Sequence, residues 1–366
     1  MTTDRFDVAI IGAGIAGITL AARLARHQRV LLIERESQPG THSTGRSAAM
    51  FMESYGSPQG RALTRASRAS YAAPAIVPVL APRGALYVAW RGQEALFEAL
   101  QAPGLVALDA RAALERVPVL REAGLLGAWL EPDAMDIDVH TLMQGSLEHA
   151  RIGGVLTWTS AELDSAQRDG GAWTVRTADG RQARASVLVN AAGAWADAVA
   201  ARCGIAGIGL QPCRRSAFTF DAPAGLDIRD WPATCGVDES WYFKPDAGRL
   251  LGSPANADPV PPHDVLPEAL DIASGIARIE ERTTLSIRRP RSTWAGLRSF
   301  VPDGEMVIGF DGDDGFFWLA GQGGWGIQSA AGAAMLAAAL IRAVPLPDVL
   351  RREGVDPAAL SPRRLR

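Results

Sequence analysis

An α/β fold is what this sequence predicts: a parallel, helix-covered sheet joined to a smaller α+β unit with a mostly antiparallel sheet. Three observations carry that reading. A glycine-rich strand–turn–helix unit opens the chain, and a second glycine-rich passage follows a strand near its end. Between them lie short apolar strands bounded by Pro, Gly and Asp. The 366 residues suffice for two domains, and 48% hydrophobic with 21% charged residues is ordinary for a globular protein. A net charge of −3 gives no electrostatic case for a nucleic-acid surface.

The opening unit reads FDVAIIGAGIAGITLAARLARHQRVLLIERE. Residues 8–11 are apolar and run into glycine, the pattern of a buried parallel strand. Gly12, Gly14 and Gly17 then form G-x-G-x-x-G. The first allows the tight turn, the second lets a pyrophosphate reach the backbone, and the third lets the next helix pack on the strand. A helix is predicted over 15–26, so the amides of Ile15 and Ala16 stand at its phosphate-favouring end. A strand over 29–33 ends at Glu34, 20 residues after Gly14, where a carboxylate can accept from both ribose hydroxyls. Strand, glycines, helix, strand and acid in register bind an ADP moiety.

Three later stretches favour a flavin over a nicotinamide. GGAWTVRTADGRQARASVLVNAAGAWAD holds alternating strands about Asp179-Gly180, then an apolar strand over 187–190 that enters Ala192 and Gly193. A strand over 316–320 runs into GQGGWGIQSAAGAAMLAAAL, where Gly321, Gly323, Gly324 and Gly326 precede a helix whose amides can face a flavin pyrimidine ring. In TWAGLRSFVPDGEMVIGF, Arg298 stands in an otherwise apolar strand, and a planar guanidinium there suits a bidentate carboxylate or a structural ion pair.

Other features exclude more than they assign. Cys203, Cys213 and Cys235 show no metal or redox spacing and read as reduced core thiols of a cytoplasmic protein. No secretory signal precedes the first strand. The runs 10–24 and 323–344 are rich in Gly and Ala and read as buried helices, not membrane spans. No metal site is expected.

These pieces together resemble the D-amino-acid oxidase-like family of FAD-dependent oxidoreductases, which includes glycine and sarcosine oxidases. Within it, HSTGRSAA, ALTRASRA, NAAGAW, QPCRRSAF, KPDAGRLLGSPANADP, TTLSIRRP, TWAGLRSF, QGGWGIQ and LSPRRL look most like the bacterial D-arginine dehydrogenases. The resemblance implies a Rossmann-like FAD-binding domain from 1–80, 137–213 and 289–366, and a substrate domain from 81–136 and 214–288. It implies non-covalent FAD touching Gly12, Gly14, Ile15, Ala16, Gly17, Glu34, Arg35, His42, Ser43, Thr44, Gly45, Arg46, Ser47, Ala48, Ala192 and Gly193. Gly321, Gly323, Gly324, Trp325, Gly326 and Ile327 would line the ring. In the substrate domain, strands are expected over 85–89, 216–220, 240–244 and 250–252, with a helix over 267–281.

The same resemblance implies a site. His42, Ser43 and Thr44 would open a helix aimed at the flavin phosphates, with Arg46 assisting. Met50 and Met52 alternate with Phe51, which places both methionines on one face of an extended segment, with Tyr55 at the pocket mouth. Arg298 is the expected carboxylate clamp, Arg215 the second choice, and Tyr242 a hydroxyl donor to the same carboxylate. Gly324, Ile327 and Gln328 would line the substrate pocket. Where the arginine enzymes carry a glutamate, Ala85 stands; where they carry histidine and threonine beside the flavin, Met50 and Met52 stand. Trp325 replaces a tyrosine.

The expected reaction is oxidative deamination of a D-amino acid, by hydride transfer from Cα to flavin N5, giving a 2-oxo acid and ammonia. Neutral or apolar side chains are expected to be preferred to D-arginine. Oxygen, a quinone or another carrier would reoxidise the flavin. The alternatives are an oxidase of secondary amino acids such as sarcosine, and a flavin-bound electron-transfer subunit.

Overall fold

The computed structural model describes residues 4–72, 78–312 and 315–366. The parts of the expected FAD domain at 1–3, 73–77 and 313–314 lie outside these described residues. Two large sheets organise the chain, as expected, and a three-stranded sheet joins them.

The first sheet has eight strands and is parallel at its centre. Strand Asp4–Ile11 lies between Val30–Ile33 and Gln182–Asn190, parallel to both. Phe316–Ala320 adds in parallel beside the end of Gln182–Asn190. Val30–Ile33, Phe316–Ala320 and residues 8–11 are buried on both faces, which explains their unbroken apolar runs. Helix Ile15–Leu24 stops two residues before the expected end. Helix Ala330–Ile341 is almost wholly alanine, glycine and short aliphatics because other helices press on it: a Cβ on Gly332 would sit 2.4 Å from the Leu63 carbonyl.

The second sheet has nine strands and is mostly antiparallel. Strands Ala85–Trp90, Gln211–Phe220, Tyr242–Asp246 and Arg249–Ser253 answer the four expected ones, shifted by a few residues at their ends. Helix Ala269–Arg282 covers its outer face. One boundary needs correction. Strand Ser292–Phe300 falls in the span assigned to the FAD domain, yet it pairs with Gln211–Phe220 from Gln211↔Phe300 to Thr219↔Ser292. Arg298 therefore stands on the second sheet, beside the strand that carries Arg215.

The small sheet joins Met50–Phe51, Leu80–Pro82 and Met135–Ile137. It ties the segment after the nucleotide motif to the edge of the second sheet, which sets Met50 at the junction.

Candidate active site

One continuous cavity runs from the turn after Asp4–Ile11 to the face of the second sheet that carries Arg215 and Tyr242. At its first end, Gly12 has φ +102°, and a Cβ there would meet the Ala191 carbonyl at 2.5 Å. Gly14 faces only the Thr44 hydroxyl, 3.4 Å from where its Cβ would be, so its backbone is open to a ligand. Gly17 does not line the cavity; its missing side chain lets the helix sit on the Gly12 carbonyl, 1.9 Å from an ideal Cβ.

Glu34 is buried, with Oε2 accepting from the Ala13 amide at 2.7 Å and Oε1 from the Glu36 amide at 2.9 Å. Arg35 lies over the Trp195 ring at 4.3 Å, and the His42 ring is 4.6 Å from the same indole. His42 Nε2 also meets Glu36 at 2.9 Å. An open glycine turn, a helix N-terminus and an acid at the end of the second strand fit an ADP-bearing cofactor.

The segment 42–48 departs from expectation. Residues 39–46 are turn, not the start of a helix. Thr44 Oγ1 accepts from the Ile15 amide at 3.1 Å, and the Ser43 hydroxyl donates to the Leu297 carbonyl at 2.7 Å. Arg46 donates to the carbonyls of Val265 and Ala295 and pairs with Asp264, so it fastens the segment to neighbouring loops. Ser47 and Ala48 line the cavity beyond it, as do Ala16, Ala192 and Gly193. Gly45 does not: its amide closes the turn on the Gly40 carbonyl at 2.8 Å.

At the other end, sheet register assembles the site. Arg215 lies directly opposite Gly296, two positions from Arg298, so both guanidinium groups rise from one face of adjacent strands. The preceding residue shows the alternation: Arg214 points to the other face and is paired with Asp271 and Glu268. Neither Arg215 nor Arg298 has a carboxylate partner among the described residues, and Arg215 Nε is buried without any hydrogen bond. Burial and the neighbouring Arg298 charge lower the Arg215 pKa to about 10. Burial also lowers that of Arg298, but Tyr55 and Tyr242 outweigh it and the net shift is upward. Arg298 donates to the Tyr55 hydroxyl at 3.1 Å, and Gly324 packs against this pair, with no room for a Cβ. Two guanidinium groups without a carboxylate partner among the described residues thus stand beside two phenols, a donor set that can bind a carboxylate.

Tyr242 faces Cys235 across one strand pair, and Cys235 faces Tyr87 across the next. All three line the cavity, so Cys235 is a wall residue, not core filler. Met50 and Met52 line it too, packing against the apolar cluster that includes Tyr87 and Ala134. Ala85 needs correction. It is fully buried behind the wall, and Tyr87, two residues along the same face, reaches the cavity in its place. Directly across the ladder from Ala85 stands Glu131. Its carboxylate is buried and accepts from the Glu53 and Ser54 amides at 2.6 and 3.3 Å, and from the Ser54 hydroxyl. Burial pushes its pKa up, against these hydrogen bonds.

The glycine-rich passage near the end also differs from expectation. Gly323, Gly324, Gly326 and Ile327 line the cavity, but Gly321 turns away toward Val301. The helix begins only at Ala330, and its first amides are taken: Ala331 N donates to the Tyr71 hydroxyl and Gly332 N to Ser67. Its N-terminus is therefore not open to a flavin ring. Trp325 is buried behind the wall, edge-on to Tyr55 and Phe300. Gln328 donates to the carbonyls of Met52 and Tyr55, which holds the Tyr55 segment in place.

Trp195, Tyr87, Glu131 and Glu239 were not among the expected residues, nor was Lys244. Lys244 lines the cavity and is buried against Asp136 at 2.6 Å, which also binds Arg83. The exposed Glu239 lines it from a tight turn with φ +52°. The residue order WYFK marked only Tyr242; a lysine two places on shares its face. Glu131 and Tyr87 carried no local signal.

Among the described residues no cluster could hold a metal ion, and no helix is long and apolar enough to cross a membrane. A family model described as FAD dependent oxidoreductase matches residues 7–340. The glycine oxidase of Geobacillus kaustophilus strain HTA426 is 23% identical over 339 residues, covering 84% of this chain and 85% of that one. Its species' glycine oxidase crystal structure superposes with a TM-score of 0.82 over 98% of both chains. The L-proline dehydrogenase of P. horikoshii gives 0.82 at 20% identity, over 99% of this chain and 98% of that one. The iminodiacetate oxidase of Chelativorans sp. BNC1 gives 0.77 at 22%, over 94% and 98%. At these identities the structures share the fold.

Proposed function

The chain belongs to the FAD dependent oxidoreductase family, and from that premise we propose that it oxidises D-amino acids with neutral or apolar side chains. FAD is its cofactor, held on this reading without a covalent bond. The observation that carries the proposal is the pair Arg215 and Arg298, both in the cavity and both without a carboxylate among the described residues. A substrate carboxylate supplies what they lack. Arg298 takes it in a bidentate pair, Tyr55 and Tyr242 donate to it, and Arg215 adds charge.

With the carboxylate fixed, the side chain extends toward Met50, Met52, Cys235 and Tyr87. This end is apolar enough to favour leucine-, methionine- or phenylalanine-like chains at about 25 cal/mol per Å² buried. A guanidinium would lose its hydration here and find Glu131 already occupied by three donors. Glu239 stands on an exposed turn, where an ion pair is worth only about 0–1 kcal/mol. When bound, the flavin accepts the two electrons of the C–N oxidation. The chain's residues orient the substrate and exclude water, and the imine product hydrolyses to a 2-oxo acid and ammonia.

Anaerobic bleaching of the flavin by a panel of D- and L-amino acids, glycine, sarcosine and proline tests the reading. D-leucine, D-methionine or D-phenylalanine is expected to exceed D-arginine by roughly 10–100-fold in kcat/KM, the scale of one buried aliphatic side chain. D-arginine as best substrate would overturn it. The names of the glycine and iminodiacetate oxidases favour a second reading, oxidation of small or secondary amino acids. Preferential turnover of glycine or sarcosine with hydrogen peroxide release would establish that one.

A further inference from the structure

Glu131, Ser54 and Tyr87 form a chain of hydrogen bonds that ends at the cavity wall. Ser54 Oγ donates to Glu131 Oε2, and Ser54 Oγ lies 2.9 Å from the Tyr87 hydroxyl. The polarity of this chain follows from its buried end. Glu131 Oε1 is fixed as an acceptor by the amides of Glu53 and Ser54. Burial raises the Glu131 pKa and the three donors oppose that rise; with the carboxylate ionised, it has no proton to give. Ser54 has one hydroxyl proton, spent on Glu131, so toward Tyr87 it offers only lone pairs. Tyr87 must then donate its own proton to Ser54. What remains on the Tyr87 oxygen is a lone pair.

The surroundings give that lone pair meaning. Tyr87 lines the cavity and is flanked by Met50, Met52, Ala85 and Ala89, with Cys235 opposite. Cys235 donates weakly to the Leu86 carbonyl. Tyr87 thus adds a hydroxyl oxygen to a stretch of wall otherwise made by Met50, Met52 and Cys235.

We propose that Tyr87 is a specificity-determining hydrogen-bond acceptor, its polarity set through Ser54 by Glu131, so that the cavity selects amino acids whose apolar side chain carries one N–H or O–H donor. This rests on the amino-acid reading above and deepens it.

The test compares side chains of matched shape with and without a donor: D-threonine against D-valine, and D-tyrosine against both D-phenylalanine and its 4-methoxy derivative. Each is measured as holoenzyme turnover and as binding, through the absorbance change of the bound flavin. The donor member of at least one pair should lead by roughly 3–10-fold, the value of one hydrogen bond. Tyr87→Phe should bring that ratio to about one. Glu131→Gln should reverse the chain. The backbone amides hold the Gln oxygen, its amide donates to Ser54, Ser54 donates to Tyr87, and the Tyr87 proton turns to the cavity. The methoxy derivative should then gain on tyrosine. Should Glu131→Gln not fold, Ser54→Ala breaks the chain without touching the amides and should remove most of the preference.

A donor preference that survives Tyr87→Phe, or its absence from every pair in the wild type, would overturn the proposal. So would an unchanged ratio in both Glu131→Gln and Ser54→Ala. If only L- or N-methyl amino acids turn over, the D-amino-acid reading fails, and the same pairs in that series still decide the role of Tyr87.

Discussion

The two ends of the cavity treat their polar groups in opposite ways. At the nucleotide end the side chains already have protein partners: Glu34 holds two amides, Thr44 accepts from Ile15, and Arg46 is bound to Asp264. At the sheet end Arg215 and Arg298 have no carboxylate among the described residues, and the buried Arg215 Nε has no hydrogen-bond partner among them. The first end is a shape built in advance, on which the cofactor adds contacts. The second holds buried cations without a counter-charge among the described residues, which carry a large desolvation cost, and on the proposed reading a substrate carboxylate supplies that charge. Losing a charged contact should therefore cost more at the second end than at the first.

Arg298→Ala gives the largest expected effect. Removing a charge-assisted bidentate pair from a desolvated site should cost about 3–5 kcal/mol in kcat/KM for every carboxylate-bearing substrate. Arg298→Lys should recover only part, since an ammonium lacks the fork. Flavin content should stay at the wild-type level in both. Efficiency within a few-fold of wild type would place the clamp on Arg215 and break the contrast between the ends.

How far each end could be read from sequence follows the same division. The nucleotide unit lies within about 30 consecutive residues, and its glycines, helix and acid each answer a local backbone demand. The second sheet is different, because its site is made by register between strands distant in sequence. Arg298 and Arg215 were visible as charges in apolar strands. That they share one face depends on Arg215 standing opposite Gly296. Ala85 shows the limit. Sequence matching put the side-chain contact at 85, but strand alternation puts the cavity at 87, and the carboxylate near 85 arrives from position 131 on the next strand. The helix after QGGWGIQ was legible as an element; its first amides being spent on Tyr71 and Ser67 was not.

The next effect in size belongs to the nucleotide end. Glu34→Ala removes one ligand contact and leaves the Ala13 and Glu36 amides without an acceptor. A lost buried hydrogen bond to a charged group is worth about 1.5–3 kcal/mol. FAD should dissociate more readily on dilution by roughly 10–100-fold. The order of preferred substrates should not move, since Glu34 stands at the far end of the cavity from Tyr87 and Met50. A changed order at full flavin occupancy would mean that the two ends are coupled.

The smallest effect sharpens the comparison from within the sheet end. Tyr242 and Tyr55 both stand beside the guanidinium pair, but only Tyr55 bonds to Arg298 in the protein itself. Tyr55 is thereby partly satisfied before substrate arrives, and its segment is pinned through Gln328. Tyr242 has no such bond to Arg298, so its hydroxyl is available to the incoming carboxylate. Tyr242→Phe deletes one neutral donor to a charged acceptor and leaves the ring in place, a change of about 1–2 kcal/mol. Because the bond forms with the carboxylate in both ground and transition states, the loss should appear in KM with kcat nearly unchanged. Tyr55→Phe should instead lower kcat as well, because Arg298 loses the bond that orients it. Steady-state kinetics on both variants check this, and equal effects on kcat would show that the two phenols are interchangeable.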